Sequence, residues 1–289
     1  MRIIEPTRRI KNKKSNKKLI YFCILVIFLG IFGYYKIKNL KSDKVVKNDT
    51  NNVLAQKNEK KIISDPSPED LKNFTGQDFQ TLYNSIIYPN TKLIRSTPII
   101  TGNQQADERI ITIAKSRGYD MRSVPVALID KVNTVDTSSP ELLQPLAKDA
   151  WLKIKHLADS DGIPLKLNSG YRSIEDQRQL FLERLSATGA SFRQIADGQA
   201  DNQVVSVLTQ AAIPGFSRHH TGFTVDFICA NGEQSFKTTT CFKWLKDNNY
   251  YNAKRFGWIP SYPEGSNEQG PEPEPWEYVW VGVQSLQKD

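Results

Sequence analysis

The sequence predicts a mixed α+β domain, short strands set among amphipathic helices, held behind a single transmembrane helix. Three observations carry this. Residues 19–35 are uncharged and rich in Ile, Leu, Phe and Val. Beyond residue 66, stretches with apolar residues at helical spacing are interspersed with short apolar runs bounded by Gly, Pro and Asn. Two of the chain's three histidines, His219 and His220, fall in one stretch of residues 217–226, S-R-H-H-T-G-F-T-V-D, that ends on Asp226.

The 17 residues of the apolar segment span about 25 Å at 1.5 Å each, close to a hydrocarbon core ~30 Å thick. Lys17, Lys18 and Lys36 flank it and can snorkel, and the basic excess before it favours an inside N-terminus. A cleaved signal peptide is the alternative, but Gly33-Tyr34-Tyr35-Lys36 is a poor cleavage site. The chain carries +8 overall, yet residues 1–47 hold 13 of the 39 Lys/Arg against only Glu5 and Asp43. The remainder of the chain is mildly acidic, so no nucleic-acid partner is expected. Residues 1–18 therefore read as a cytoplasmic basic tail, 19–35 as the membrane anchor, and the Lys- and Asn-rich 36–66 as a flexible tether. Of the three cysteines, Cys23 lies in the apolar segment. In an oxidising compartment Cys229 and Cys241 are expected to pair as a disulfide; two unrelated buried thiols are the alternative.

Residues 67–118 read as a helical extension. Ser67-Pro68-Glu69-Asp70 has the composition of a helix start, and Leu71, Phe74, Phe79, Leu82, Tyr83 and Ile86 suit one or two short helices interrupted near Gly76. A strand over 93–100 and a helix over 106–117 come next. Residues 119–289 form the main domain. A helix over 136–157 is predicted from Leu142, Leu146, Ala150, Ile154 and Leu157, widened by Trp151. His156 has no companion ligand there and reads as structural or exposed. Asp161-Gly162 turns the chain into a strand over 163–167. Ser173 with Asp176 starts a helix bearing Leu180, Phe181 and Leu185. Arg172 thus stands at a strand–helix junction, free to clamp a planar carboxylate or to make a surface salt bridge. Residues 186–213 read as a polar loop with a short helix near 203–211. A strand over 223–228 succeeds Gly222, and a helix begins near Phe242. The last strand, 274–283, sets Trp276, Tyr278 and Trp280 against Glu277, Val279 and Val281. A bend at Pro275 can bring Glu274 and Glu277 to one side.

A tight turn at Gly222 would aim His219 and Asp226 at one point, where imidazole and carboxylate suit a zinc ion; a hydrogen-bonded pair in a surface turn is the plainer alternative. Four blocks in order add to this: S-G-Y-R-S-x-x-x-Q at 169–177, S-x-H-x-x-G-x-x-x-D at 217–226, F-G-W with Y-P-E-G within 256–265, and E-P-W at 274–276 with V-G at 281–282. Together they resemble the VanY-type D-alanyl-D-alanine carboxypeptidases, zinc D,D- and L,D-peptidases that trim peptidoglycan stem peptides. The resemblance covers about residues 120–283. It implies a small antiparallel sheet flanked by helices, the Hedgehog/D,D-peptidase-like zinc peptidase fold. It also implies a peptidoglycan stem peptide as partner, a bacterial cell membrane as location and a monomer. By the same resemblance His219 and Asp226 are metal ligands and Glu274 is the general base. Arg172 receives the substrate's terminal carboxylate, with Ser173 and Gln177 supporting that end.

One position departs from the family pattern. Its third ligand is a histidine three residues after the base; here that residue is Glu277, and no histidine occurs after His220. Glutamate does ligate zinc. A His-Asp-Glu set, however, carries two anions and formally neutralises the ion, which weakens its effect on a water and on an oxyanion. Zinc can still serve, a harder ion such as Mn2+ can replace it, or the pocket can bind peptidoglycan without cutting it. A zinc endopeptidase of cross-links is a further alternative, against which Arg172 argues.

Overall fold

The computed structural model describes residues 65–94, 99–118, 121, 123–136, 139–230, 235–265 and 272–288. The expected tail and transmembrane helix, and almost all of the tether, lie outside them. Among the described residues no helix is long and apolar enough to cross a membrane. The helices are α1 (Gly76–Ser85), α2 (Gln104–Ser116), α3 (Pro145–Ser160), α4 (Ile174–Ala187), α5 (Phe192–Ala196), α6 (Asp201–Leu208) and α7 (Thr240–Lys254). The strands are β1 (Thr91–Lys92), β2 (Val126–Ala127), β3 (Asn133–Asp136), β4 (Ser139–Leu143), β5 (Leu165–Ser169), β6 (Thr224–Cys229), β7 (Trp258–Tyr262) and β8 (Glu274–Trp280).

Four strands make the main sheet, antiparallel throughout in the order β5-β6-β8-β7. Helix α3 covers one face with Ala147, Ala150, Trp151, Ile154 and Ala158, all buried. Trp151 stacks on Phe227 of β6 at 5.5 Å, and Phe227 meets Tyr278 of β8 at 5.2 Å. Each such large side chain contributes roughly 1.5–3 kcal/mol by leaving water. Leu71, Phe79 and Tyr88 belong to this same core, so the N-terminal extension packs into the domain. A second cluster joins Ile110 and Ile113 of α2, Phe181 and Leu185 of α4, and Val204 and Val207 of α6.

Several boundaries differ from the sequence expectation. Of the strand expected over 93–100, residues 95–98 lie outside the described residues and 93–94 and 99–100 are not in a strand; Leu93 is exposed, and the short β1 precedes it at Thr91–Lys92. The helix expected from 136 starts at Pro145, because β3 and β4 form an antiparallel hairpin before it. Leu142 therefore lies on a strand; Ala150, Trp151 and Ile154 are buried as expected, while Ala147 and Ala158 take the buried places expected of Leu146 and Leu157, leaving Leu146 exposed. The polar 186–213 segment holds two helices, α5 and α6. Residues 258–262, not read as a strand, form β7. Helix α7 breaks at Asp247–Tyr250, where Asn248, Asn249 and Tyr250 take positive φ. The Asn249 side chain there accepts from the Phe74 N–H (2.9 Å) and donates to the Phe74 carbonyl (2.8 Å). Cys229 and Cys241 form the expected disulfide, joining the end of β6 to the start of α7.

Candidate active site

The His219 turn is a 3-10 turn over Arg218–Thr221, closed by Gly222 at φ 71°, a left-handed conformation that glycine takes without strain. The turn delivers His219 beside the start of β6, and β6 delivers Asp226. Strand β8 supplies Glu277 opposite Asp226, since the two are paired across the ladder. Glu274 would face elsewhere in a regular strand. The β7–β8 register, however, slips between the Pro260–Tyr278 and Tyr262–Glu274 pairs. That bulge brings Glu274 and Glu277 to one cavity, the outcome expected of a bend at Pro275.

His219 Nε2 lies 3.4 Å from Asp226 Oδ1 and 3.4 Å from Glu277 Oε2. The three ligand atoms all fall within 4.8 Å of one another. Tetrahedral zinc with bonds near 2.0 Å sets its ligands about 3.3 Å apart, so the spacing suits the ion. The donor chemistry agrees. The Nδ1–H of His219 donates to the Gly170 carbonyl at 2.6 Å, which fixes the ring and turns Nε2 toward Asp226 and Glu277. Asp226 Oδ1 and Glu277 Oε1 are buried without a hydrogen-bond donor. These residues can hold a divalent ion.

Charge follows the same logic. Burial pushes the His219 imidazolium down, but Asp226 and then Glu277 outweigh it and raise its pKa to about 10. The neighbouring carboxyls part ways. Burial, Glu277 and Asp226 raise Glu274, while His219 overcomes burial to lower Glu277. Of the two carboxyls Glu274 thus has the higher proton affinity, which suits a group that accepts a proton from water.

Gly170 owes its place to the β3–β4 hairpin. Its N–H donates to Glu141 Oε2 at 2.7 Å, and the next N–H, of Tyr171, donates to the Leu142 carbonyl at 2.7 Å. A Cβ at residue 170 would meet that carbonyl oxygen at 2.5 Å, so only glycine fits. Arg172 then projects toward the ligands: Nη1 donates to Gln177 Oε1 (2.8 Å), Nη2 to Ser169 Oγ (3.0 Å), and Asp226 Oδ2 is 3.9 Å away. Gln177 is buried and anchored by its Nε2 on the Ala212 carbonyl at 2.7 Å. Ser173 stands apart. Its hydroxyl caps α4 with Asp176 and does not line the cavity, so its role is to start the helix behind Arg172.

The structure adds residues that the sequence reading left unassigned. His220 is fully buried; its Nδ1–H donates to the Arg172 carbonyl (2.7 Å) and its Nε2 accepts from the Gly215 N–H (3.0 Å). Burial lowers its pKa to about 4, so it is a neutral staple behind Arg172. Arg218 is buried between the rings of Tyr83 (3.9 Å) and Tyr262 (4.1 Å), and donates to Gln80 Oε1 (2.6 Å) and to the Ser261 carbonyl. Ser217, Arg184 and Trp276 line the cavity, which has a volume of about 570 Å³. An adjoining R and H in the S-R-H-H stretch were visible, but nothing in their spacing indicates burial. His156 is exposed on α3, as expected.

Comparison with known proteins bears on this geometry. The D-alanyl-D-alanine carboxypeptidase family VanY matches residues 140–283. A D-alanyl-D-alanine carboxypeptidase of Enterococcus faecalis is 29% identical over 195 residues, 64% of this chain and 68% of its own. A putative carboxypeptidase, YodJ, of Bacillus subtilis is 31% identical over 141 residues, covering 47% of this chain and 45% of that one. Among solved structures, a vancomycin-resistance D,D-pentapeptidase VanY in complex with Zn(II) aligns with a TM-score of 0.44 at 24% identity, over 57% of this chain and 86% of that one. The segments that bear His219, Asp226 and Glu274 lie wholly within the matched residues, and the chain belongs to the VanY-type D-alanyl-D-alanine carboxypeptidase family.

Proposed function

We propose that this protein is a metal-dependent carboxypeptidase that removes the C-terminal D-alanine from peptidoglycan stem peptides. The observation that carries the reading is the convergence of ligand atoms of His219, Asp226 and Glu277 within 4.8 Å of one another, with Glu274 and Arg172 on the same cavity. A divalent ion, zinc or a harder substitute such as Mn2+, would supply Lewis acidity toward the scissile carbonyl and acidify a water. The chain's own residues do the rest. Arg172, held by Gln177 and Ser169, receives the terminal carboxylate and aligns the last amide bond. Glu274 takes the proton from the attacking water and returns it to the leaving amine. An internal bond presents no carboxylate to Arg172, which favours exopeptidase over endopeptidase action. The apolar segment 19–35 and its basic flank support an anchor in a bacterial cell membrane with the domain outside.

Glu277 in the place of a histidine favours one second reading, a peptidoglycan-binding module that keeps the pocket without turnover. Mass spectrometry of defined tetra- and pentapeptides incubated with the purified protein, with and without chelator, separates the two. Chelator-sensitive release of D-alanine is expected. Arg172→Ala should lower turnover sharply, and Glu274→Gln should lose at least ~100-fold while retaining its metal. Full turnover by Glu274→Gln would refute the assigned roles.

A further inference from the structure

Arg184 has no part in the proposed hydrolysis, yet it faces the same cavity. It lies on α4 seven residues beyond Gln177, with Leu180 between them, so the three share one face of the helix along the cavity wall. Its guanidinium is partly buried and donates to the Gln210 carbonyl. Among the described residues no carboxylate lies within ion-pair distance of it. Burial lowers its pKa, the mark of a cation that has given up water without gaining an anion. Arg172 differs, because Ser169, Gln177 and Asp226 already surround it.

Spacing indicates what Arg184 would meet. Seven helical residues separate Gln177 from Arg184 by about 10 Å, the reach of roughly three extended peptide residues. A peptide whose terminal carboxylate rests on Arg172 must leave the cavity past Glu274, and Arg184 senses the Glu274 charge more than any other. A side group two or three residues in from the substrate's C-terminus would pass beneath Arg184.

Resting on the carboxypeptidase reading, we propose that Arg184 is a specificity-determining residue that receives a second carboxylate, carried by a residue on the acyl side of the scissile bond. The site would favour a stem peptide whose diamino acid bears a free carboxylate, of the diaminopimelate kind, over one with an amidated carboxylate or a lysine. An uncharged or cationic side group would leave the guanidinium unpaired in a partly desolvated place.

The test uses three pentapeptides identical except at the third residue: diaminopimelate, its side-chain amide, and lysine. KM and kcat are measured with the zinc-loaded full-length protein and its Arg184→Gln and Arg184→Lys variants. A charge-assisted hydrogen bond predicts a KM at least about tenfold lower for the free carboxylate in the parent protein. Arg184→Gln should bring the KM values together, and Arg184→Lys should restore part of the preference. A parent protein that treats all three peptides alike, or an Arg184→Gln variant whose KM rises equally for all three, would overturn the proposal. Calorimetric binding of the same peptides to Glu274→Gln keeps the two readings separate. If nothing is cleaved, the hydrolase reading fails, while the binding preference still decides the role of Arg184.

Discussion

Replacing Arg218 by Met should destabilise the domain by about 3 kcal/mol, because one guanidinium braces the metal-ligand turn against the N-terminal extension. Arg218 donates to Gln80 Oε1 on α1 and to the Ser261 carbonyl on β7, with the Ser261 hydroxyl at 3.2 Å. Each hydrogen bond from a charged donor contributes about 1.5–3 kcal/mol. Sandwiching between Tyr83 and Tyr262 adds up to ~2 kcal/mol for each buried ring. Against this, a methionine of similar length no longer holds a charge out of water, which returns several kcal/mol. A net loss of about 3 kcal/mol lowers Tm by roughly 6–12 °C in a domain of this size. Thermal unfolding of the purified protein reads it directly. Arg218→Lys should recover little, since an ammonium cannot fork between Gln80 and Ser261 while stacking on two rings. A Met variant within about 1 kcal/mol of the parent would show that relieved desolvation cancels the contacts, and that α1 does not brace the site.

Two other outcomes rest on the described contacts. The Cys229–Cys241 bridge closes a short loop of sequence separation 12, so Cys229→Ser should cost about 3 kcal/mol, and reductant should lower the stability of the parent alone. Lys254 is buried, its Nζ donating to the Lys72 carbonyl (2.6 Å) and to Asn249 Oδ1 (2.9 Å), and burial lowers its pKa from 10.5 to about 8. The unfolded chain therefore holds the extra proton between pH 8 and 10.5, and stability from this group rises with pH across that window. The contribution lost below pH 8 is about 3 kcal/mol. Denaturant titrations at pH 7.5 and 9.5 should show this rise in the parent and not in Lys254→Met; equal slopes would contradict it.

The part of the site written in contiguous residues was legible, and the part assembled from distant ones was not. His219, Gly222 and Asp226 lie on one turn and one strand, so spacing alone suggested their meeting. Glu274 and Glu277 came from resemblance, and the bulge that turns both inward involves β7, a strand that Pro260 argues against. That proline is tolerated because β7 is at the sheet edge. The β3–β4 hairpin was hidden because Leu142, Leu146 and Ala150 mimic a helical repeat. Only tertiary contact shows that the hairpin seats Gly170, and through it the His219 ring. His220, Arg184 and Arg218 are ordinary polar residues in sequence, and their roles come from what other segments place around them.

Glu277 and Arg218 can be considered together. A histidine at the third ligand position would set a neutral ring near a buried cation, whereas Glu277 sets a carboxylate there. Arg218 and Glu277 attract one another electrostatically, and Ser261, which Arg218 contacts, also helps hold the Glu277 carboxyl low. The buried guanidinium thus offsets part of the extra negative charge that Glu277 brings to the ligand set. Its removal should make the glutamate less favourable and a histidine more acceptable. A double-mutant cycle of Arg218→Met and Glu277→His, read by unfolding free energy, should show a coupling of at least about 1 kcal/mol, with Glu277→His better tolerated once Arg218 is gone. Zinc affinity measured on the same four proteins should track the same order. Strictly additive losses, within about 0.5 kcal/mol, would mean that the glutamate stands at the metal without help from the cation behind it.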